Sequence, residues 1–152
     1  MEIRYTERGD ITGLKVILDQ IELFPSDMLD DMLNGFLEGD TDDLWLTLEV
    51  DGTPLGFCYA NPEQMTDETW NILALGVSPN HQGSGAGTHL TQQMEAQIED
   101  QGGSVIIVDT SSTEGFAKTR KFYEKAGYTE EARIRDFWSK GVDKVTYRKV
   151  IS

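Results

Sequence analysis

A glycine-rich turn between an apolar strand and an amphipathic helix is the feature that most constrains this chain. The strand ends at Val77, and the turn reads Gln82-Gly83-Ser84-Gly85-Ala86-Gly87-Thr88. Glycines permit positive φ angles and let a ligand approach the backbone closely. The first N–H groups of a helix have no acceptor within the helix, and the helix dipole is positive at that end. The turn therefore predicts an anion site, and a phosphate or pyrophosphate is the occupant most easily accommodated there.

Two well-known phosphate-binding patterns do not fit this turn. A Rossmann dinucleotide site has its glycines after the first strand of the fold, whereas this turn follows three strands that are predicted to pair antiparallel. A P-loop needs Gly-Lys-Ser/Thr, and the turn contains no lysine. The remaining alternative is a glycine-rich connection without a ligand. It is disfavoured because three glycines at a helix start cost conformational entropy.

The spacing of apolar residues predicts one mixed α/β domain over residues 1–152. Strands are predicted at 2–7, 44–50, 55–60, 70–77, 105–108, 128–137 and 142–150. Helices are predicted at about 11–21, 26–38, 85–101 and 116–126, with Asp10 as the N-cap of the first. Because the apolar strand 105–108 follows a helix, we expect it to lie parallel to strand 70–77.

Composition restricts the location and the partners of the protein. The chain has one cysteine, Cys58, so no internal disulfide can form and a cytoplasmic location is expected. We interpret Cys58 as a small buried residue. No apolar run approaches the ~20 residues of a membrane helix, and the N-terminus lacks the layout of a signal peptide. The two histidines, His81 and His89, lie near no cysteine or carboxylate cluster, so no metal site is expected.

The net charge of −14 is unevenly distributed along the chain. Residues 1–117 contain 3 Lys or Arg and 22 Asp or Glu, whereas residues 118–152 contain 10 and 5. Nucleic-acid binding requires a basic face, so nucleic acid is not an expected partner. An acidic body attracts cationic substrates such as amines, although solubility is the more general explanation of such a charge.

A second motif makes the pattern specific. The block Phe122-Tyr123-Glu124-Lys125-Ala126-Gly127-Tyr128 contains the end of a predicted helix. Together with the Leu75-x-Val77 strand end and the Gln82-x-x-Gly85-x-Gly87 turn, it resembles the GCN5-related N-acetyltransferase (GNAT) superfamily. The order and spacing of these motifs agree with that family over essentially the whole chain. The resemblance implies a mostly antiparallel sheet of about seven strands that splays after strand 4, flanked by about four helices.

The resemblance also implies a cosubstrate, acetyl-CoA or another acyl-CoA. Its pantetheine arm is expected along the backbone of Leu75, Gly76 and Val77, in the manner of a short extra strand. The pyrophosphate is expected on the backbone N–H groups of Gln82, Gly83, Ser84, Gly85, Ala86, Gly87 and Thr88. Phe122 is expected to line the same cofactor site.

The implied reaction is direct attack of a neutral amine on the thioester. Tyr123 is expected to protonate the leaving thiolate as a general acid. The alternative for Tyr123 is a core tyrosine with its hydroxyl at the surface. A backbone N–H near Val77 would polarise the thioester carbonyl.

The general base that accepts the amine proton is less well defined by the sequence than the general acid. Asn71 is the polar residue of strand 4, and because an amide cannot accept the proton, it would orient substrate or water. The carboxylates available are Glu68, Glu22 and Asp109. A base relayed through solvent is equally compatible with the sequence. We predict Tyr123, Asn71 and Glu68 as the catalytic residues.

Several residues upstream of Tyr123 and near it have two interpretations. Relatives often carry an asparagine that contacts CoA at the position of Phe116 in this chain. The run Asp109-Thr110-Ser111-Ser112-Thr113 supplies hydroxyls either to a ligand or to a helix cap. The basic side chains either meet the 3′-phosphate of CoA or form a solvated helix face. They are Lys118, Arg120, Lys121 and Lys125. Trp138 is a candidate for the border of the acceptor site.

The sequence thus predicts an N-acetyltransferase that moves an acetyl group from acetyl-CoA to a primary amine of a small molecule. A polyamine, an amino acid or an amino sugar would each satisfy this prediction. Two alternatives remain, a non-catalytic acyl-CoA-binding sensor and a protein N-terminal or lysine acetyltransferase. A homodimer is expected from the resemblance, without metal, membrane or nucleic acid as a partner.

Overall fold

The computed structural model describes residues 1–21 and 23–152. Within these ranges the strands are β1 (Glu2–Tyr5), β2 (Leu44–Val50), β3 (Thr53–Pro62), β4 (Thr69–Val77), β5 (Val105–Ser111), β6 (Thr129–Ser139) and β7 (Val142–Val150). The α-helices of the same ranges are α1 (Ile11–Gln20), α2 (Leu29–Glu38), α3 (Ala86–Asp100) and α4 (Ala117–Lys125). In this described part of the chain, no helix has both the length and the apolar character needed to cross a bilayer.

The strands form one sheet in the order β1-β2-β3-β4-β5-β7-β6. β4 and β5 are parallel, and the other neighbours are antiparallel. The parallel pair arises because α3 carries the chain back across the sheet between the two strands. Asp51 and Gly52, at φ 51° and 80°, make the tight turn of the β2–β3 hairpin. The predicted fold, a mostly antiparallel mixed sheet with four flanking helices, is confirmed.

Two apolar clusters lie on opposite faces of the sheet, because successive side chains of a strand point to opposite sides. On one face, α1 and α2 pack against Trp45 and Phe57. On the other face, α3 buries its inner side chains, as their four-residue spacing predicts. They are Ala86, Leu90, Met94 and Ile98. Cys58 is fully buried in this second cluster, which agrees with its interpretation as a core residue.

The sheet opens between β4 and β5. The two strands pair from Thr69↔Val105 to Ile72↔Val108 and no further, whereas β3 stays paired with β4 as far as Val77. The β3–β4 register shifts at Leu73, which bends β4 away from its parallel neighbour. Beyond Ile72, the edge of β4 that faces β5 therefore has no strand partner among residues 1–21 and 23–152. This is the predicted splay after strand 4.

β5 is longer than the sequence predicts. Its pairing with β7 continues through Asp109↔Thr146 and Thr110↔Val145 to Ser111↔Lys144. The apolar run ends at Val108, but backbone pairing with β7 does not depend on apolar side chains. The predicted strand end at Val108 is therefore wrong, and three polar residues lie on a strand rather than in a loop.

The prediction that Asp10 caps α1 is also wrong. Asp10 has helical backbone angles and makes no capping hydrogen bond to α1. Its carboxylate instead accepts the Glu7 backbone N–H at 2.8 Å and two guanidinium N–H groups of Arg4 at 2.8 and 2.9 Å. Arg4 also donates to Glu49 on β2 at 3.1 Å. Asp10 thus ties the first turn to the sheet edge.

We expect Asp10→Asn to lower the free energy of unfolding at neutral pH by about 2 kcal/mol, since hydrogen bonds to charged groups contribute on this order. Burial raises the pKa of Asp10, but the hydrogen bonds from Arg4 and Glu7 outweigh it and hold this pKa below the usual 3.8. Stability from a lowered carboxyl pKa is present above about pH 4 and is lost as the pH falls further. Urea unfolding should show wild type and variant converging in acid; a constant difference would contradict this.

Candidate active site

The glycine turn leaves open space at the start of α3. Gly83 and Gly85 have φ angles of 81° and 90°, in the left-handed region that favours glycine. A Cβ at either position would meet no atom within 4 Å. Gly87 has a different reason to be glycine, because its Cβ would lie 3.3 Å from the ring of Phe122 on α4. The turn thus has open space beside Gly83 and Gly85, whereas Gly87 packs closely against α4.

A cavity of about 580 Å³ runs along this turn, and we call it the loop cavity. It is lined by Leu75, Val77, Gln82, Gly83, Gly85, Gly87, Thr88, Lys118, Thr119, Phe122 and Tyr123. Most of the predicted cofactor residues are among them. Lys118 brings a positive charge to the same wall as the free N–H groups of the helix start, which suits an anion.

Three of the predicted cofactor side chains do not line the loop cavity. The Ser84 hydroxyl donates to the carbonyl of His81 at 2.5 Å, and Ala86, the first residue of α3, is buried on the inner face of that helix. At Gly76 a Cβ would lie 2.6 Å from the Phe57 ring, so glycine is needed there for packing inside the sheet. The backbone groups of these residues and the exposed Ser84 hydroxyl oxygen remain available to a ligand.

The unpaired edge of β4 forms one side of the loop cavity, through Leu75 and Val77. An extended ligand can pair with such an edge as an added strand does. Gln82 donates its side-chain N–H to the Val77 carbonyl at 3.1 Å, which joins the turn to the strand end.

A second cavity, of about 510 Å³, fills the gap between β4 and β5, and we call it the cleft. Its apolar wall is formed by Leu23, Ile72, Leu73, Ala74, Leu75, Val108, Phe116, Trp138 and Val142. Its polar wall is formed by Asp109, Thr110, Ser111, Thr113, Thr119 and Tyr123. Leu75, Thr119 and Tyr123 belong to both cavities. The two spaces therefore meet beside these three residues.

Tyr123 is held at this junction by an aromatic cluster. Its ring lies 5.2 Å from that of Phe122 and 5.5 Å from that of Tyr128, both edge to face. The hydroxyls of Tyr128 and Tyr147 donate to Glu95 and Glu124, respectively. Within the described residues, the Tyr123 hydroxyl has no such partner. Burial raises the pKa of Tyr123 above its usual value, so this hydroxyl keeps its proton in neutral and alkaline solution.

Asn71 and Glu68 lie elsewhere. Asn71 donates to Glu63 at 3.3 Å, and its buried carbonyl oxygen has no partner among the described residues. Glu68 accepts a hydrogen bond from the Ser104 hydroxyl at 3.3 Å. Neither residue lines the cleft or the loop cavity. Asn71 directly precedes Ile72, the first residue of β4 that lines the cleft, and Glu68 precedes β4 itself.

Asp109 is the carboxylate that the structure does bring to the cleft. Among the described lining residues it carries the one charged side chain. It accepts a hydrogen bond from the Thr146 hydroxyl at 2.6 Å and lies 3.5 Å from the Lys144 ammonium. From the sequence alone, Asp109 is one of three candidate carboxylates for the catalytic base, and no feature of the sequence distinguishes it from the other two. Of the other two, Glu68 lies outside both cavities, and Glu22 lies outside the described residues.

The polar run after Val108 reaches the cleft, but the prediction that it caps the next helix is wrong, because neither Thr113 nor Phe116 makes a side-chain capping hydrogen bond. Thr110, Ser111 and Thr113 line the cleft. Ser111 also accepts the Thr113 backbone N–H at 3.1 Å, which organises the turn before α4. Arg120 donates to the carbonyls of Ser111 and Thr113, both at 2.7 Å, so its guanidinium holds the end of β5.

Solved structures share this architecture. A protein described as a GNAT-family acetyltransferase from Desulfovibrio desulfuricans is 24% identical, with 99% of each chain covered and a TM-score of 0.91. An aminoglycoside 6′-N-acetyltransferase complexed with coenzyme A is 17% identical, with 100% and 98% covered and a TM-score of 0.81. The ribosomal-protein-S18-alanine N-acetyltransferase from Escherichia coli is 17% identical, with 99% and 94% covered and a TM-score of 0.80. These likenesses establish an acetyltransferase fold.

The sequence itself matches the model of the acetyltransferase (GNAT) family over residues 14–128. The chain belongs to this family. The predicted enzyme class, an acyl-CoA-dependent acetyltransferase, and the predicted cosubstrate, acetyl-CoA, are thereby confirmed. None of the curated proteins compared with the sequence matches it.

The residues present fit an acyl-CoA. The open space at Gly83 and Gly85 suits close approach of a pyrophosphate, and Lys118 lines the same cavity. The free edge of β4 suits the amides of a pantetheine arm. Across residues 1–21 and 23–152, no group of three or more His, Cys, Asp or Glu side chains is arranged to hold a metal ion.

Proposed function

We propose that this protein transfers an acetyl group from acetyl-CoA to the primary amine of a small molecule by direct attack. The observation that carries this proposal is the meeting of the loop cavity and the cleft at Tyr123. One cavity has the groups that suit a phosphorylated carrier, and the other contains a carboxylate and an apolar wall. A buried, protonated hydroxyl lies where the two substrates would react.

Acetyl-CoA supplies an activated thioester to this site. The backbone of Leu75 to Val77 and the N–H groups of the glycine turn would bind it, and a backbone N–H at the end of β4 would polarise its carbonyl. Tyr123 would donate its hydroxyl proton to the thiolate sulfur as the carbon–sulfur bond breaks and the carbon–nitrogen bond forms. The amine loses one proton and the thiol gains one, so an amide and free CoA result.

The amine would enter through the cleft. Asp109 and solvent are the acceptors for the amine proton that the described cleft offers. Asn71 and Glu68, predicted from the sequence as catalytic, gain no support from their positions and keep the status of predictions.

A small acceptor is supported by the enclosure of the cleft. Leu23, from the segment after α1, and Trp138, from the end of β6, line the same cavity as β4 and β5. A volume of about 510 Å³ bounded on these sides lies in the range of small-ligand sites. An extended peptide would need a longer open groove.

The test is an acetyl-CoA consumption screen. The purified protein is incubated with acetyl-CoA and either single small amines or peptides with a free N-terminus or lysine, and released thiol is measured. We expect turnover with small amines alone. Turnover confined to peptides would indicate a protein acetyltransferase, and CoA binding without turnover of any acceptor would indicate a sensor.

We expect kcat/KM for the amine to rise from about pH 6 to about pH 9, because the neutral fraction of the amine increases. Burial raises the pKa of Tyr123 above its usual 10.0, so the proton donor should not titrate in this range. Initial rates at saturating acetyl-CoA and constant ionic strength measure the profile. A flat profile would contradict rate-limiting deprotonation of the amine, and a fall in rate that begins below about pH 9 would contradict the assignment of Tyr123 as the acid.

A further inference from the structure

We propose that the acceptor is a compact amine with one ammonium group and an apolar body, selected by Asp109 and Trp138. This inference rests on the proposed acetyl transfer, because it concerns the amine that enters the cleft. It is narrower than the sequence prediction, which left polyamines, amino acids and amino sugars equally open.

The first argument is charge. Asp109 carries the one charged side chain among the described residues that line the cleft. Thr146 and the Lys144 ammonium already use part of its capacity, but a carboxylate has about four lone-pair sites. One incoming ammonium can therefore be bound. A second ammonium, as in a polyamine or an aminoglycoside, would have no counter-charge among the described cleft residues, which is costly.

The second argument is the apolar wall. Leu23, Phe116 and Val142 line the cleft together with Trp138. The Trp138 indole is about half exposed and is held edge to face by Phe137, with the ring centroids 5.2 Å apart. An aromatic ring kept at a cavity wall in this way suits an apolar or aromatic substrate body.

The third argument concerns carboxylates. The described cleft residues include no cationic side chain. Two cations that contact cleft-lining residues are already engaged, since Lys144 pairs with Asp109 and lies over the Phe137 ring, and Arg120 binds the carbonyls of Ser111 and Thr113. Lys118 lines the loop cavity, where the phosphates of CoA are proposed to bind. The α-carboxylate of an amino acid would therefore find Asp109 as its charged neighbour and be repelled.

The experiment compares matched amines in the acetyl-CoA consumption assay. Butylamine and 1,4-diaminobutane differ by a second ammonium, and 2-phenylethylamine and phenylalanine differ by a carboxylate. We expect kcat/KM to be about 10-fold or more higher for the first member of each pair, because the second member leaves a charge unpaired in the cleft. Kanamycin represents the aminoglycosides and should be a poor substrate.

Two variants test the named residues. Trp138→Ala should raise KM for 2-phenylethylamine about 10-fold and change KM for butylamine much less, because the indole contacts the larger body. Asp109→Asn should raise KM for both amines about 10-fold or more without changing CoA affinity measured by calorimetry. Ile134→Ala is the matched control: Ile134 also lies on β6 and is 48% exposed, close to the 51% of Trp138, but it lines neither cavity.

The outcomes separate this inference from the function on which it rests. Preference for 1,4-diaminobutane, phenylalanine or kanamycin would overturn the substrate class and leave acetyl transfer intact. Equal KM changes in Trp138→Ala and Ile134→Ala would also overturn it. Normal CoA binding with no turnover of any amine would overturn the proposed function and this inference together.

Discussion

Replacing Tyr123 by phenylalanine is expected to lower kcat by about 100-fold or more, in line with the 10²–10⁴-fold contribution of a positioned general acid. The phenyl ring keeps the packing against Phe122 and Tyr128. The hydroxyl makes no hydrogen bond to another described residue, so its removal leaves no partner unsatisfied. The fold and the affinity for CoA should therefore change little, and the loss should appear in kcat rather than in KM.

Tyr147→Phe is the matched control for this experiment. Tyr147 belongs to the same aromatic cluster, with its ring centroid 6.4 Å from that of Tyr123, and it is almost fully buried. Its hydroxyl donates to Glu124 and does not line either cavity. We expect this variant to lose about 1 kcal/mol of stability and to keep its kcat.

The measurements are steady-state rates with a small amine and calorimetric titration with CoA. Similar kcat in wild type and Tyr123→Phe would remove Tyr123 from the chemistry. If neither protein turned over while both bound CoA, the non-catalytic sensor would be the correct interpretation. A loss of CoA binding in Tyr123→Phe would mean that the hydroxyl contributes to CoA binding and is not solely a proton donor, because the variant retains the ring.

Much of the fold could be predicted from the sequence because its signals are local. The spacing of Ala86, Leu90, Met94 and Ile98 defines the buried face of α3 without any knowledge of its partners. The Asp51-Gly52 turn defines a hairpin in the same way. The glycine turn and the Tyr123 block could be placed at one site because their order along the chain matches a known family.

The position of the carboxylates could not be predicted, because it depends on long-range pairing. The apolar run predicts that β5 ends at Val108, with Asp109 in the loop that follows. Its pairing with Thr146 on β7 extends β5 through Asp109, which lines the cleft. Asn71 was selected as the polar residue of β4, but the cleft begins where β5 leaves β4, after Ile72. The sequence pattern shows which residues of a strand are polar. It does not show at which residue the neighbouring strand stops pairing with it.

Asp10 shows the same limit at the sheet edge. An aspartate before a helical run is a sound capping signal. The partner that overrides it, Arg4, lies on a different element, and Glu49 completes the arrangement from 45 residues away along the chain. Charged pairs of this kind become visible only when the strands are assembled.

Replacing Gly85 by valine is expected to weaken CoA binding by about 100-fold, roughly 2.7 kcal/mol. Gly85 precedes α3 at a φ of 90°, where a β-branched residue is strained, and its Cβ would occupy the open space in front of the first turn of the helix. The turn can relieve this strain only by moving the backbone N–H groups that are proposed to bind the pyrophosphate. Strain and obstruction therefore act on the same site.

Gly39→Val separates the two effects. Gly39 ends α2 at a φ of 73°, and a Cβ there would also meet no atom within 4 Å. Both substitutions should cost about 1–2 kcal/mol of stability, because both place a side chain in the left-handed region. Only Gly85→Val should lose affinity in a titration with CoA at a temperature where all three proteins are folded. Equal affinities for CoA in the two variants would show that the turn does not bind the pyrophosphate.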